Sequence, residues 1–508
     1  MAQQFYSIDL QDTQFPMLSE QQGRTIIGNS VGKSPAEEER VGVAYCHNVM
    51  PSQYGLDAVS YLTAIPEITD LPIGEEVIDI RIAYGSLKSR IHLAWDSVGN
   101  VYVLREGDTS WVVIPDTVPA TTSLSFSSDS VTVATVNGVS YIFYSTIGAF
   151  VYNETTGVLD STSLSGLLIS EVLGLVASAG YLVAYTDLAI AWSSTLVPTD
   201  FVPSQVTGAG GGNVAGIAGS ILFITSNTLG LLVHTVANTL AGTTTGNVQF
   251  PFKFREIEGS KGGISLDLIA YEANSAEQFV YSKAGLQSVN SQRAKTLLPE
   301  VTDFLAGRRF EDFNEVTKLY EITDLATTTT MKKKIKLVAS RYLVISYGLP
   351  SASSFTHALV YDVVLQKLGK LKITHTDTFE YIGAQSEISK ETVAFVLTTG
   401  EVKLLDFSAT ADTNGVIILG KLQATRSKLL SLLGVEVENI ETDATLSLDS
   451  QVSLDGKTST LVAGSLRYSA ANIRAFDFRS IGLNHSLMFI GKFNLVTVII
   501  RYSVTSRR

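Results

Sequence analysis

The stretch Ser130-Val131-Thr132-Val133-Ala134-Thr135-Val136-Asn137-Gly138-Val139-Ser140-Tyr141-Ile142-Phe143-Tyr144 decides the fold. Apolar and polar residues alternate on both sides of Asn137-Gly138, as in strands with one buried face. Asn-Gly supplies the two positive φ values of a type I′ turn, whose twist matches that of the flanking strands. The segment reads as a β-hairpin. Asn414-Gly415 and Asp455-Gly456 repeat the turn signal.

The same kind of strand recurs. Apolar runs begin near Val101 (VYVL), Tyr141 (YIFY), Tyr181 (YLVAY) and Ile221 (ILFIT), 40 residues apart each time. Each is followed by a short turn and a second strand, at Trp111, Ala149, Ala189 and Leu231. Looser copies start at Phe279, Tyr342 and Val393. Seven strand pairs at a period of ~40 residues match four-stranded blades repeated about an axis. The expected class is all-β: a β-propeller of about seven blades over 76–415, with a partly helical insertion near 290–330. There Pro299 opens and Gly307 follows a short helical pattern, 299–305, expected to project from a blade edge with the segment 308–313. Residues 1–75 carry no blade pattern, and 416–508 return to long alternating strands around Leu446 and Phe493. These two ends are read together as a separate β platform.

Composition bounds the function. The chain has 508 residues, 17% charged and 45% apolar, with 40 Gly and one cysteine, Cys46. A disulfide framework and a cysteine-rich zinc module are excluded. Mean hydropathy is positive, +0.22, yet no apolar run reaches the ~20 residues of a spanning helix. The N-terminal MAQQFYSIDLQD has neither a basic n-region nor an apolar h-region, so no secretory signal is expected. The expectation is a soluble protein made in a reducing compartment. The formal charge of −12 argues against tight binding to nucleic acid, which needs a basic surface. The basic run Met331-Lys332-Lys333-Lys334-Ile335-Lys336 reads as a solvated edge strand guarded by its lysines, in preference to a binding patch.

Chemical motifs are missing. Gly28-Asn29-Ser30-Val31-Gly32-Lys33-Ser34 has three residues between its glycines where a phosphate-binding loop needs four. In Thr207-Gly208-Ala209-Gly210-Gly211-Gly212-Asn213, Asn213 stands where a dinucleotide fold needs glycine, which leaves a flexible or close-packed loop. The six histidines (His47, His92, His234, His357, His375, His485) have no metal-ligand spacing, and no Gly-x-Ser-x-Gly elbow occurs. A carboxylate pair of glycosidase type stays open, since no Asp or Glu is singled out. Trp95, Trp111 and Trp192 fall in or beside strands, where packing is the default over sugar stacking. No catalytic residue, metal ligand or cofactor is expected.

Three segments carry a resemblance. The first is Ala191-Trp192-Ser193-Ser194-Thr195-Leu196-Val197-Pro198-Thr199-Asp200-Phe201-Val202-Pro203-Ser204, followed by Gly208 and Gly210. The second runs from Tyr342 through Tyr347-Gly348 to Tyr361-Asp362 and Lys367-Leu368-Gly369. The third runs from Gly482-Leu483-Asn484 through Phe493 to the final arginines, and Asn48–Leu56 is a weaker match. Together they resemble the nozzle, or tail-hub, proteins of short-tailed bacteriophages (the packaged-DNA stabilisation and tail tubular protein B type). Ser194 departs from an acidic position of that pattern, and Leu368 from a tryptophan. The resemblance implies a structural virion protein that is not an enzyme: a propeller-bearing subunit of a homohexameric ring below the portal and adaptor. It would carry fibres or a distal needle, and double-stranded DNA would pass its lumen without tight binding. Assembly would take place in the host cytoplasm. The aromatic content, 20 Tyr and 22 Phe, fits large subunit interfaces, and an acidic wall would let DNA slide past. The competing readings are a glycan-binding or glycan-cleaving β protein and a cellular propeller scaffold. The second lacks a repeated Trp-Asp blade signature, since Trp95-Asp96 occurs once.

Overall fold

The computed structural model describes residues 4–9, 24–26, 43–52, 55–62, 68, 71–72, 75–108, 110–115, 131–145, 147–271, 275–307, 309–314, 316–326, 329–381, 392–406, 415–423, 428–439, 446–453, 460–469 and 472–506. The phosphate-loop-like segment 28–34, the Asp455-Gly456 turn and Asn414 lie outside them. Two compact units emerge. One holds Met1–Leu62, His357–Ile373 and Leu405–Arg508; the other holds Thr63–Thr356 and Thr374–Leu404.

The larger unit is a seven-bladed β-propeller. Blade 1 comprises Val77–Tyr84, Arg90–Asp96, Val101–Arg105 and Val112–Val113. Blade 2 comprises Val131–Val136, Val139–Tyr144, Gly148–Asn153 and Val158–Thr162. Blade 3 is Gly174–Ser178, Tyr181–Tyr185, Ala189–Trp192 and Gly210–Asn213. Blade 4 is Ile221–Asn227, Gly230–Thr235, Thr239–Thr244 and Phe252–Glu256. Blade 5 is Ile269–Ala270, Gln278–Ser282, Gly285–Val289 and Ala294–Thr296. Each is an antiparallel meander whose first strand lies innermost. In this unit blade 6 contributes Lys332–Val338 and Tyr342–Gly348, and blade 7 contributes Asp377–Tyr381, Thr392–Val396 and residues 402–404 of the strand Val402–Asp406.

Shared cores bind the blades face to face. Ile91, Trp95, Ile142 and Phe150 join blades 1 and 2. Phe143 and Leu182 join blades 2 and 3, and Val183, Leu232 and Val280 link blades 3 to 5. Val77, Tyr102, Phe379 and Val396 close the ring between blades 1 and 7. Asn137 (φ 55°) and Gly138 (φ 81°) form the predicted tight turn, with Val136 opposite Val139.

The blade count read from the sequence holds, but its register does not. Tyr141, Tyr181, Phe279, Tyr342 and Val393 lie in second strands, whereas Val101 opens the third strand of blade 1 and Ile221 the first strand of blade 4. The even interval of 40 residues joined strands that are not equivalent. Second strands in fact start at Arg90, Val139, Tyr181, Gly230, Gln278, Tyr342 and Thr392. The hairpin region 357–373, read as part of the propeller, clusters with the other unit.

The expected helix is present as Pro299–Ala306, with Pro at its start and Gly307 as C-cap. It is packed inward: Val301 and Leu305 are fully buried, and Thr302 Oγ1 accepts from Leu286 N at 3.0 Å. A separate hairpin follows, Arg309–Asn314 with Leu319–Asp324.

The smaller unit joins both chain ends. Gln4–Asp9 pairs with Asn494–Ser506, which also pairs with Lys428–Asn439. Val43–His47 pairs with Gly415–Leu419. One core runs through Ile8, Val43, Cys46, Leu56, Ile417, Leu432, Phe489, Phe493 and Ile500. This is the β platform.

Candidate functional site

The resemblance residues of blade 3 build one loop, 193–209, between its last two strands. Val197-Pro198-Thr199-Asp200 is a β-turn closed by Asp200 N donating to Val197 O at 3.0 Å. Proline at its second position pre-sets the required φ. Asp200 Oδ1 then accepts from Val202 N at 3.1 Å, which starts the turn into Pro203. Phe201 N donates to Ser165 O at 2.9 Å, and the ring is buried. Ser204 Oγ accepts from Val206 N and Thr207 N at 3.2 and 3.3 Å.

Gly208 donates to Ser204 O at 2.9 Å in a left-handed conformation, φ 75°, that a side chain rarely adopts. Its carbonyl accepts from Trp192 Nε1 at 2.9 Å. A Cβ on Gly210 would meet the Trp192 ring at 3.0 Å, so glycine there lets the indole lie flat on the outer strand. The Gly-rich stretch is therefore a strand, Gly210–Asn213, and not the loop expected from its composition. Ser194 departs from the acidic pattern without losing a turn-capping role. Its Oγ accepts from Leu196 N at 3.2 Å and Val197 N at 3.4 Å, as a carboxylate would.

The loop hides its aromatics and shows its aliphatics. Leu196 is 82% and Val206 93% exposed, with Val197 and Val202 also open. Loop 245–251 of blade 4 continues the patch with Val248 and Phe250, and a Cβ on Gly208 would lie 2.1 Å from Val248 Cγ1.

The other resemblance residues do not join this site. Tyr347 is buried under Phe304 and Phe310, with ring centroids 5.4 and 6.3 Å away, so it anchors the helix and hairpin insertion; Gly348 ends its strand. In the smaller unit, Tyr361 is buried and Asp362 Oδ1 accepts from Val364 N and Leu365 N at 2.9 and 3.0 Å, turning the chain. A Cβ on Gly482 would clash with Val452 at 2.6 Å. Asn484 sits opposite Ser453 and Gln423 in the ladder, and Phe493 lies in the core.

A second constellation, missed from the sequence, lies among the innermost strands of the propeller. Lys334 Nζ is 3.1 Å from Asp79 Oδ1, 3.0 Å from Asp377 Oδ1 and 3.9 Å from Asp267 Oδ1. Lys336 pairs with Asp79 at 3.1 Å and also with Asp377. Arg81 Nε binds Asp79 at 2.6 Å, and Ile80 N donates to Asp377 Oδ2 at 2.6 Å. Three cations thus meet three carboxylates from blades 1, 6 and 7 and the turn before blade 5. Burial pushes the Asp79 carboxyl up, but Arg81, Lys334 and Lys336 outweigh it and hold it well below the ordinary range. Burial likewise disfavours charged Lys334, yet Asp377 and Asp79 raise its pKa. The lysine run is an edge strand, as expected, but not a solvated one: its edge faces the axis, and Lys334 is buried. The available signal was Val77-Ile78-Asp79-Ile80-Arg81-Ile82, charges at alternate positions of an apolar strand.

All six histidines are buried. Burial lowers His92 to about 4 and His234 to about 3. No group of His, Cys, Asp and Glu among the described residues could hold a metal ion. No helix among them is long and apolar enough to cross a membrane. Trp95, Trp111 and Trp192 are all buried.

No protein-family model and no curated protein matches the chain. Among solved structures, it is similar to the WD40 β-propeller domain of Doa1, with 9% identity and TM-score 0.38, covering 70% of this chain and 98% of that one. YCF48 bound to D1 peptide shows 9% identity and TM-score 0.37, over 68% of this chain and 98% of that one. U3-55K shows 10% identity and TM-score 0.37, over 66% and 100%.

Proposed function

We propose that the chain is a structural subunit of a short-tailed bacteriophage tail, a nozzle or hub protein. Copies of it form a ring, six in number, that extends the DNA channel below portal and adaptor, retains the packaged genome and opens for ejection. The observation that carries this reading is the blade 3 loop. Its resemblance residues spend their chemistry on turns and a buried Trp192 and leave Leu196, Val202 and Val206 open to solvent. A site evolved for catalysis would instead expose polar groups in a cleft.

A rotational ring needs two different faces per subunit, and the aliphatic loop supplies one. Duplex DNA would pass between copies, since the propeller axis is occupied by the Asp79–Lys334–Asp377 ion pairs. Sugar stacking would need an open tryptophan face, and all three indoles are packed.

The test is native mass determination of the full chain, alone and with the portal adaptor. The expected outcome is a closed ring on the adaptor, which the Leu196→Asp/Val206→Asp double variant fails to form while keeping its thermal midpoint. A wild-type chain that stays monomeric on the adaptor, or a double variant that assembles normally, overturns the reading.

A further inference from the structure

The outer strand of a propeller blade presents an open edge, a template on which a further strand can pair. In blades 2, 4 and 5 the outer strands carry Asp160, Lys253 and Lys295, charges that keep such a strand away. Blade 1 ends on two residues only, Val112–Val113. The outer strand of blade 3, Gly210–Asn213, has no charge, no proline and a single side chain. The fold accounts for two of its three glycines. Gly210 lies against the Trp192 ring, and a Cβ on Gly211 would stand 3.0 Å from Ile190 O. At Gly212 a Cβ would meet nothing within 4 Å, and its φ lies outside the left-handed region. A strand glycine that its own chain leaves free admits the close approach of another backbone.

The backbone of this edge is set to receive a strand. Val214 N donates to Leu188 O at 3.1 Å, and Gly212 and Gly210 stand opposite Ile190 and Trp192 in the same ladder. Hydrogen-bonded pairs alternate along an antiparallel ladder. Gly210 and Gly212 therefore bond inward, while Gly211 and Asn213 turn their N–H and C=O groups outward. No further described strand pairs with them. A complementary edge exists in the smaller unit. Ser465–Ser469 pairs on one side with Ile473–Gly482 and with no described strand on the other. All five residues are exposed, Leu466 and Tyr468 by 56% each. Its one charge, Arg467, sits at a bulge and reaches back over its own sheet to Glu436 at 3.3 Å and Asp477 at 3.7 Å. One edge thus lacks side chains and the other carries large ones. An aromatic side chain set across from an edge glycine covers the bare backbone.

We propose that Ser465–Ser469 of one copy adds as a further strand to Gly210–Asn213 of the next copy around the ring. Two different edges then meet head to tail, the contact that a rotational ring requires. The main-chain bonds run through Gly211 and Asn213, and Leu466 and Tyr468 cover the glycines. The inference rests on the ring reading and assigns that ring its second face.

Toward an incoming strand Gly212 occupies a non-hydrogen-bonded position, where facing Cα atoms approach to about 4.5 Å, within disulfide reach. Gly212→Cys is therefore combined with Leu466→Cys or with Tyr468→Cys in the full chain, assembled on the portal adaptor and mildly oxidised. The native Cys46 is buried and does not compete. At least one pair should give a thiol-reversible ladder of covalent oligomers, from dimer to closed ring, in denaturing electrophoresis. The single-cysteine variants should give none. Gly212→Lys should raise the concentration for half-maximal assembly about tenfold or more without moving the thermal midpoint, whereas Gly212→Ala should assemble as the parent does. A ring without a ladder from either pair, links formed only within one chain, or a Gly212→Lys variant that assembles like the parent overturns this inference and leaves the ring reading standing. A parent chain that forms no ring on the adaptor overturns both.

Discussion

Removing Lys334 is the sharpest test of the axial network. Its ammonium lies within about 3 Å of Asp79 and Asp377, and the three side chains are 8%, 3% and 1% exposed. Lys334→Met leaves three carboxylates facing two cations. Breaking a buried pair from one side costs about 3–5 kcal/mol, a large part of the ~5–15 kcal/mol that holds a domain together. Urea unfolding followed by tryptophan fluorescence measures it cleanly, because Trp95, Trp111 and Trp192 all belong to the propeller unit. The loss also has a pH signature. In the parent protein Asp79 titrates well below its ordinary range, so its contribution persists down to about pH 4 and fades below. In the variant an unpaired carboxyl takes up a proton at higher pH, so the deficit should shrink between about pH 7 and about pH 5. Adding Asp377→Asn should recover about 2 kcal/mol by restoring balance, and it provides a folded comparison if Lys334→Met alone does not fold. A loss under about 1 kcal/mol, a pH-independent deficit, or additive costs would refute the reasoning.

Acid should destabilise the parent protein through its histidines. His92 and His234 are held near 4 and 3 against 6.5 unfolded, so the unfolded chain binds protons first. Stability should then fall from about pH 6.5 downward, by about 2 kcal/mol for each at pH 5, measured as urea midpoints across pH; a flat profile from pH 7 to pH 5 would contradict their burial. Trp192→Phe removes the bond to Gly208 O and should cost about 1 kcal/mol, with faster amide exchange confined to 193–209. Unchanged exchange there would show that the indole does not hold the loop.

What the sequence disclosed, and what it did not, follows from where information sits in a propeller. Turn chemistry is local, so Asn137-Gly138 and the Pro299–Gly307 helix were legible at once. Strand position within a blade is not. Val101–Arg105 and Ile221–Asn227 are buried almost throughout because blades pack against blades on both faces. Neither shows the alternation that separates an outer strand from an inner one, and connections as unequal as 214–220 and 257–268 then erased the period. The blade 3 motif was legible as a pattern, but its purpose was not. That purpose lies in hydrogen bonds such as Phe201 to Ser165, 36 positions back in the chain, which spacing within the motif does not encode.

The lysine run shows the limit most clearly. Every blade has two edges, and closure turns one of them toward the axis, away from solvent. Charges guarding a free edge and charges filling a closed ring look alike along the chain, because the partners that distinguish them are remote: Ile80 and Asp377, joined by a hydrogen bond, are 297 residues apart. Charge balance at the axis is thus a property of the closed circle and not of any blade. Each strand can form on its own pattern, while Asp79, Lys334 and Asp377 reward only the arrangement in which the first blade meets the last two. A propeller whose contacts are otherwise between neighbours gains from this a term that depends on closure. Disrupting the axial charges should therefore leave strand content intact and loosen the seam between blades 7 and 1 first.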